Sequence, residues 1–119
     1  MRIITGTARG AVLNTLEGEA TRPTPAKVKE ALFSSIQFDI EGRRVLDLFA
    51  GSGQLGLEAL SRGAEKATFV DGAREATAII TANAQKTHLY KQSNVLCMDW
   101  KRVRKSAVIT AFFMEAETF

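Results

Sequence analysis

Residues 45–60, VLDLFAGSGQLGLEAL, decide how this chain folds. The first five of them are apolar except for one aspartate, a pattern that predicts a short buried strand. Gly51, Gly53 and Gly56 follow with the spacing of the dinucleotide-binding fingerprint, and residues 54–62 predict a helix. A strand, a glycine-rich loop and a helix in this order predict a ligand site built on an α/β unit.

The same alternation continues beyond the glycine loop. Residues 67–70 predict a second strand, residues 73–86 a helix and residues 94–98 a third strand. Strands that alternate with helices form right-handed βαβ units, so the predicted fold class is α/β with a parallel sheet. Residues 107–113, AVITAFF, could add a fourth strand. The core-facing residues predicted for the 73–86 helix are Ala76, Ile79, Ile80 and Asn83.

A different pattern precedes this alternation. Residues 2–5 and 12–16 predict the two strands of a hairpin, joined by a glycine-bearing turn. Residues 21–25, TRPTP, form a stiff segment that leads into a helix reaching about Gln37. The core-facing residues predicted for this helix are Val28, Ala31, Leu32 and Ile36. We therefore expect an N-terminal extension over residues 1–42 and a ligand-binding domain over residues 43–119.

Size and composition are those of one ordinary globular domain. The chain has 119 residues, of which 45% are hydrophobic and 24% charged. It has no apolar run long enough for a membrane span and no secretory signal, so we expect a cytoplasmic location and no membrane partner. Its single cysteine, Cys97, favours neither a disulfide nor a metal site, and we expect it to be buried. The lone His88 is expected on the surface.

Positive charge is concentrated near the end of the third predicted strand. The net charge is +3, and residues 86–105 carry six basic side chains against one acid, Asp99. Such a cluster fits a polyanionic partner such as nucleic acid, and it equally fits a solvated face. The basic residues are Lys86, Lys91, Lys101, Arg102, Arg104 and Lys105.

The acids at the strand ends distinguish between the ligands that a glycine loop can hold. Asp47, Asp71 and Asp99 each fall at or near the carboxyl end of a predicted strand, where ligands bind in parallel sheets. A carboxylate beside the loop would repel the pyrophosphate of a nicotinamide or flavin cofactor. S-adenosylmethionine has no phosphate and carries an ammonium and a sulfonium, which an acid attracts. Asp47 could instead only cap the loop.

Each remaining residue of this site has a predicted contact. Gly51 and Gly53 let the backbone approach the ligand without a Cβ in the way. Asp71 is placed to accept hydrogen bonds from the ribose hydroxyls of either cofactor. Asp99 could accept from the adenine amino group while Met98 lies against the ring, although Asp99 is also an ordinary candidate for a helix N-cap.

Two stretches of the chain together carry a family resemblance, MRIITGTARG and TRPTPAKVKEALFSSIQFDIEGRRVLDLFAGSGQLGLEALSRGAEKATFVD. They resemble the RsmD family of bacterial methyltransferases, which modify the N2 amine of a guanine in 16S ribosomal RNA. The resemblance covers about residues 1–100. It implies a class I, Rossmann-like methyltransferase domain that binds S-adenosyl-L-methionine, preceded by a hairpin and helix that help to grip RNA. The cofactor-site residues it implies are Asp47, Gly51, Gly53, Asp71 and Asp99, and Phe49 and Met98 complete the predicted cofactor site. The residues predicted to contact RNA are Arg9 and Arg22 in the N-terminal extension and Lys101 and Arg102 in the basic run, which lies outside the resemblance.

The chain also departs from the family pattern. The catalytic motif Asn/Asp-Pro-Pro-Tyr/Phe is absent, because Pro23 and Pro25 are the only prolines. Residues 101–119 form a divergent tail, so we expect an incomplete sheet, no catalytic residue in this chain, and self-association through an exposed sheet edge. A truncated or frame-shifted gene would give such a sequence. A non-catalytic cofactor- or RNA-binding module and an NAD(P)-dependent oxidoreductase remain the alternatives.

Overall fold

The computed structural model describes residues 1–15, 26–48 and 50–98, together with the backbone of a two-residue strand at 113–114. The helices are α1 (Ala26–Ser35), α2 (Gln54–Ser61) and α3 (Arg74–Lys86), and a short 3-10 turn covers Tyr90–Gln92. The strands are β1 (Arg44–Leu48), β2 (Lys66–Asp71), β3 (Ser93–Cys97) and β4 (Phe113–Met114). The predicted order of strands and helices is confirmed, with bounds that shift by one or two residues.

The strands form one four-stranded sheet in the order β3-β2-β1-β4. β1 pairs with β2 in parallel, and β2 pairs with β3 in parallel, so the predicted βαβ units are confirmed. The fourth strand differs from the expectation. Its described residues are Phe113 and Met114, and it runs antiparallel to β1, where Leu46 pairs with Phe113. The rest of the run predicted as a strand, residues 107–112, lies outside the described residues.

Helices α2 and α3 cover the same face of the sheet, because both right-handed crossovers step in the same direction from β1 to β2 to β3. Phe69 of β2 is fully buried beneath α2. A Cβ at Gly56 would overlap the Phe69 ring, so the third glycine of the loop lets α2 lie close against β2. This close contact sets the direction in which α2 leaves the loop.

The N-terminal hairpin is short and is docked on the same face. Arg2 and Val12 form an isolated antiparallel bridge. Backbone hydrogen bonds flank it, from the Ile3 N–H to the Ala11 oxygen at 3.0 Å and from the Leu13 N–H to the Met1 oxygen at 2.9 Å. Ile3 and Leu13 are buried in the hydrophobic cluster that includes the sheet and α2. The predicted hairpin is confirmed near this bridge, while the domain boundary at residue 42 stays a prediction.

The predicted core face of α1 is confirmed for Leu32 and Ile36, which pack against the core, and is wrong for Val28 and Ala31. α1 buries Lys29 and Phe33, whereas Val28 is 55% exposed. The sequence pattern failed because the buried ammonium of Lys29 has an ion-pair partner far along the chain, the equally buried Glu58 of α2 at 3.1 Å. Of the predicted face, Ala31 is exposed and Leu32 and Ile36 are half-buried. The first two residues of the predicted helix, 24 and 25, lie outside the described residues.

The burial predicted for Cys97 is wrong, whereas the exposure predicted for His88 is confirmed. Cys97 is exposed, because it lies at the carboxyl end of β3, the outermost strand of the sheet. His88 is exposed, as predicted. Ala76, Ile80 and Asn83 of α3 are buried, which confirms the predicted face of that helix except for the half-buried Ile79. Among the described residues, none of the helices is long and apolar enough to cross a membrane.

Candidate functional site

The glycine loop connects the carboxyl end of β1 to the start of α2. Gly51 and Gly53 both adopt left-handed backbone conformations, with φ of 58° and 82°. The Gly53 N–H donates to the Ala50 oxygen at 2.7 Å, which closes the turn. Residues with a Cβ rarely adopt this conformation, so the loop needs glycine at both positions. Gly53 is also the N-cap residue of α2, and it has no side chain with which to satisfy the free N–H groups of the first turn.

Asp47 supplies the missing cap from the neighbouring strand. Its Oδ2 accepts a hydrogen bond from the N–H of Gly56, the third residue of α2, at 3.1 Å. A carboxylate at a helix N-terminus is stabilised by the free N–H groups and by the helix dipole. The capping role considered as an alternative for Asp47 is therefore present, and it uses only one of the two carboxyl oxygens.

The other oxygen of Asp47, Oδ1, is buried without a hydrogen-bond partner among the described residues. Burial raises the pKa of Asp47 to about 8, the Gly56 hydrogen bond opposes that shift, and the charge of Asp71 adds to it. Because Oδ2 accepts from Gly56, the proton resides on Oδ1 when the carboxyl is neutral. A buried oxygen of this kind destabilises the fold unless a donor or a cation meets it.

Asp71 connects the end of β2 to the glycine loop. Its Oδ2 accepts from the Gly51 N–H at 3.0 Å, and its Oδ1 accepts from the Ala73 N–H at 2.9 Å. Each carboxylate oxygen has capacity for a second hydrogen bond. The Met98 N–H donates to the backbone oxygen of Asp71 at 3.1 Å, so Met98 lies at the same edge of the sheet.

The described cofactor-site residues thus lie at one edge of the sheet, as the parallel topology requires. These residues are Asp47, Gly51, Gly53, Asp71 and Met98. Their contacts with a ligand stay predictions. Phe49 and Asp99 lie outside the described residues.

Arg9, the one predicted RNA-binding residue that the structure describes, does not share this position. Arg9 is exposed in the hairpin turn. The turn is held at the carboxyl end of α2, because the Thr7 N–H donates to the Ser61 oxygen at 2.8 Å and the Ala8 N–H to the Ser61 Oγ at 2.9 Å. Arg9 therefore lies at the end of α2 opposite to the glycine loop. Arg22, Lys101 and Arg102 lie outside the described residues.

Glu58 and Asn83 are buried polar residues that hold the N-terminal extension in place, a role that the sequence did not predict for either. Glu58 accepts from the backbone N–H groups of Ile4 at 2.8 Å and Thr5 at 3.0 Å, and it also pairs with Lys29 and Arg62. Burial lowers the pKa of Lys29, and the charge of Glu58 opposes that shift. Asn83 was predicted only as part of a core face. The one sequence signal for both residues is a polar side chain at a position whose periodicity predicts burial.

The chain is similar to a known family and to proteins within it. The family model described as conserved hypothetical protein 95 matches residues 1–112. YlbH of Bacillus subtilis is 44% identical over 107 residues, which make up 90% of this chain and 58% of YlbH. The ribosomal RNA small subunit methyltransferase D of Haemophilus influenzae is 51% identical over 71 residues, or 60% of this chain and 37% of the relative.

A solved structure has the same fold. The structure of yhhF of Escherichia coli superposes with a TM-score of 0.77 at 37% identity, and the match covers 87% of this chain and 55% of yhhF. The chain therefore spans between about a third and three fifths of the length of these relatives. The matched portion contains the glycine loop, both described strand-end acids and the N-terminal extension.

Proposed function

Because the chain belongs to the conserved hypothetical protein 95 family, which is the RsmD family, and has the Rossmann-like fold of class I methyltransferases, we propose that it binds S-adenosyl-L-methionine and serves the methylation of a guanine N2 amine in 16S ribosomal RNA. The substrate in this proposal is the RNA of small-subunit particles in the cytoplasm. Relatives named as ribosomal RNA small subunit methyltransferases support the RNA class. The guanine N2 specificity rests on the family resemblance.

The single observation that carries the cofactor assignment is the buried Oδ1 of Asp47, which has no partner among the described residues. A cofactor with an ammonium and a sulfonium compensates this oxygen. Positive charge favours the ionised form of Asp47, whose pKa burial raises, whereas the pyrophosphate of a dinucleotide would raise that pKa further. For an ionised Asp47, a like charge 4 Å away would cost about 4 kcal/mol at an effective dielectric constant near 20. The site residues therefore fit S-adenosylmethionine better than a nicotinamide or flavin cofactor.

The other residues of the site have distinct proposed roles. The backbone at Gly51 and Gly53 passes close to the methionine end of the cofactor, without side chains that would obstruct it. Asp71 accepts from the ribose hydroxyls through its remaining lone pairs, while it keeps the Gly51 N–H bond that shapes the loop. Met98 packs against the adenine, and Asp99 accepts from the adenine amino group.

The cofactor supplies an electrophilic methyl group on a positively charged sulfur. What the protein must add is orientation of the guanine amine, whose lone pair is delocalised into the ring and is a poor nucleophile. The Asn/Asp-Pro-Pro-Tyr/Phe motif that would accept the amine hydrogens does not occur in these 119 residues. We therefore assign cofactor binding to this chain and assign no catalytic residue within it.

RNA contact is proposed for the extension and for the basic run after β3. Arg9 is exposed on the hairpin turn, and Arg22, Lys101 and Arg102 complete the proposed set. Lysine and arginine side chains that meet phosphates supply most of the sequence-independent affinity for nucleic acid. The second candidate function is a binding module without turnover, and the absent Asn/Asp-Pro-Pro-Tyr/Phe motif favours it for the isolated chain.

Titration calorimetry tests the cofactor assignment. The 119-residue chain should bind S-adenosylhomocysteine and should not bind NADH at comparable concentrations. Asp47→Asn should weaken S-adenosylmethionine more than the uncharged-sulfur analogue S-adenosylhomocysteine, because only the former carries the sulfonium. Asp39→Asn, which changes an exposed acid outside the site, is the matched control. NADH binding that equals or exceeds that of S-adenosylhomocysteine would show the assignment to be wrong.

A further inference from the structure

Asn83 of α3 is fully buried, and its side-chain amide joins two other segments of the chain. Nδ2 donates to the backbone oxygens of Asn14 and Ser52, both at 2.9 Å. Oδ1 accepts from the backbone N–H of Asn14 at 2.8 Å. Both amide hydrogens and the amide oxygen are thus engaged, which fixes the orientation of the side chain. One residue therefore holds the end of the N-terminal hairpin at a fixed position relative to the middle of the glycine loop.

Ser52 is the point at which this contact reaches the ligand site. It lies between Gly51 and Gly53, which adopt left-handed backbone conformations. Because glycine has no side chain, few side chains are available to hold the loop in place. The backbone oxygen of Ser52 is bound by Asn83, and its hydroxyl donates to the sulfur of Met1 at 3.3 Å. The loop thus contacts both arms of the hairpin, one through Met1 and the other through Asn83 and Asn14.

Neither an acidic side chain of the same shape nor a smaller side chain can make this set of hydrogen bonds. Aspartate has the same shape and keeps an acceptor for the Asn14 N–H, but it lacks both donors. A smaller side chain removes the donor to the Asn14 carbonyl and leaves the buried Ser52 carbonyl without this partner. The link between loop and hairpin therefore depends on the amide of Asn83 itself.

We propose that Asn83 is a positioning residue that couples the glycine loop to the N-terminal extension, so that a cofactor that fixes the loop also fixes residues 1–14 for contact with RNA. Coupling between two binding sites is reciprocal, so RNA held by the extension tightens the binding of the cofactor by the same factor. The inference rests on the proposed function for the identities of the two ligands, and the link itself can be tested without either.

Hydrogen exchange in the presence and absence of saturating S-adenosylhomocysteine tests the coupling. The reporters are the amides of Ile3, Gly10 and Leu13, which donate across the hairpin. In the unmodified chain the ligand should slow their exchange about fivefold or more, the lower end of typical coupling. In Asn83→Asp the ligand should leave these rates within about a factor of two. Calorimetry on the same samples establishes that both chains are saturated.

Thr87→Val is the matched control. Thr87 is buried at the C-cap of α3, one turn beyond Asn83, and the described hydrogen bonds of its hydroxyl go to the backbone oxygens of Asn83 and Ala84 rather than to the loop or the hairpin. It should lower stability and preserve the ligand-dependent slowing. Asn83→Ser is a second variant, in case the buried aspartate prevents folding. Equal slowing in the Asn83 variants and the unmodified chain would overturn the proposal, as would ligand binding without any slowing.

A ligand-free comparison separates this proposal from the proposed function. Leu13→Ala loosens the hairpin by removing a buried side chain. With Asn83 present, this change should speed exchange of the Gly53 amide, which donates to Ala50, at least about threefold relative to amides of β2. In the Asn83→Asp background it should have no such effect. Equal effects in both backgrounds would refute the coupling, whereas failure of the unmodified chain to bind S-adenosylhomocysteine would refute only the cofactor assignment.

Discussion

The carboxylate of Asp47 accepts a hydrogen bond from the backbone N–H of Gly56 at 3.1 Å, across the glycine loop that separates β1 from α2. The contact explains how a helix whose N-cap residue is glycine can begin in a buried position. It also leaves a single carboxyl oxygen facing the interior without a partner among the described residues. The same side chain thus caps α2 and, in the proposed function, meets the positive charge of the cofactor.

Asp47 should make the stability of the chain depend on pH. Its folded pKa of about 8 lies above the ordinary value of 3.8, so between these values the folded chain keeps a proton that the unfolded chain has released. The contribution of Asp47 to stability is fully present below about pH 4 and is lost as the pH rises towards 8. Near pH 6 the free energy of unfolding should fall by about 1.4 kcal/mol per pH unit from this residue.

Asp47→Asn should remove this slope, as measured by urea denaturation at pH 5.5, 6.5 and 7.5. Asp39→Asn, in an exposed position, should retain it. Parallel slopes for the unmodified chain and Asp47→Asn would show that Asp47 is ionised in the folded chain throughout this range.

Asp71→Ala should weaken the binding of S-adenosylhomocysteine by roughly 2–4 kcal/mol, because two hydrogen bonds from ribose hydroxyls to a charged acceptor are lost. The substitution also releases the Gly51 N–H, which loosens the loop. Calorimetry gives the affinity. Glu75→Ala, an exposed acid in the first turn of α3, should bind as the unmodified chain does. Unchanged affinity in Asp71→Ala would remove Asp71 from the ribose site.

Gly56→Ala should lower the free energy of unfolding by about 1–3 kcal/mol, because its Cβ would overlap the buried Phe69 ring and force α2 away from β2. Gly72→Ala is the control, since a Cβ there meets nothing within 4 Å. It should change stability by less than about 0.5 kcal/mol. Thermal and urea denaturation measure both. Equal stability of the two variants would mean that the space between Gly56 and Phe69 can accommodate a methyl group without cost.

Glu58→Ala should destabilise the chain by about 3–5 kcal/mol, because it leaves the buried ammonium of Lys29 without its ion-pair partner. The backbone N–H groups of Ile4 and Thr5 lose their acceptor at the same time. Glu65→Ala breaks an exposed pair with Arg44 and should cost less than about 1 kcal/mol. A loss in Glu58→Ala as small as that in Glu65→Ala would show that the network contributes little to docking of the extension.

The 119-residue polypeptide should transfer no methyl group to ribosomal RNA or to 30S particles above background. Its sequence lacks the Asn/Asp-Pro-Pro-Tyr/Phe motif that would orient the guanine amine, although it should still bind S-adenosylhomocysteine. A radiolabelled-methyl assay with purified polypeptide measures this. Methylated guanine that increases in proportion to the protein, and that disappears with Asp71→Ala, would mean that a residue outside the expected motif performs the chemistry.

The parts of the fold that could be predicted are those whose signals are local. The apolar strand, the glycines and the following helix lie within one short stretch, and their order predicted the sheet, the loop and the edge where Asp47 and Asp71 lie. The face of α1 could not be predicted, because Lys29 is buried only through Glu58, a residue of another helix. The hydrogen bonds of Asn83 could not be predicted either, because its partners Asn14 and Ser52 become neighbours only in the folded chain.

The position of its docking partners in the sequence determines when the N-terminal extension can dock during biosynthesis. Its backbone partners are distant in sequence, since Glu58 binds the N–H of Ile4 and Asn83 binds Asn14. A nascent hairpin emerging from the ribosome therefore has no surface to bind until α2 and α3 have followed it out of the exit tunnel. Contacts with such large sequence separation form late in folding, because the entropy of closing the intervening chain opposes them. The extension precedes its docking partners in the chain and is thus among the last segments to acquire its long-range native contacts.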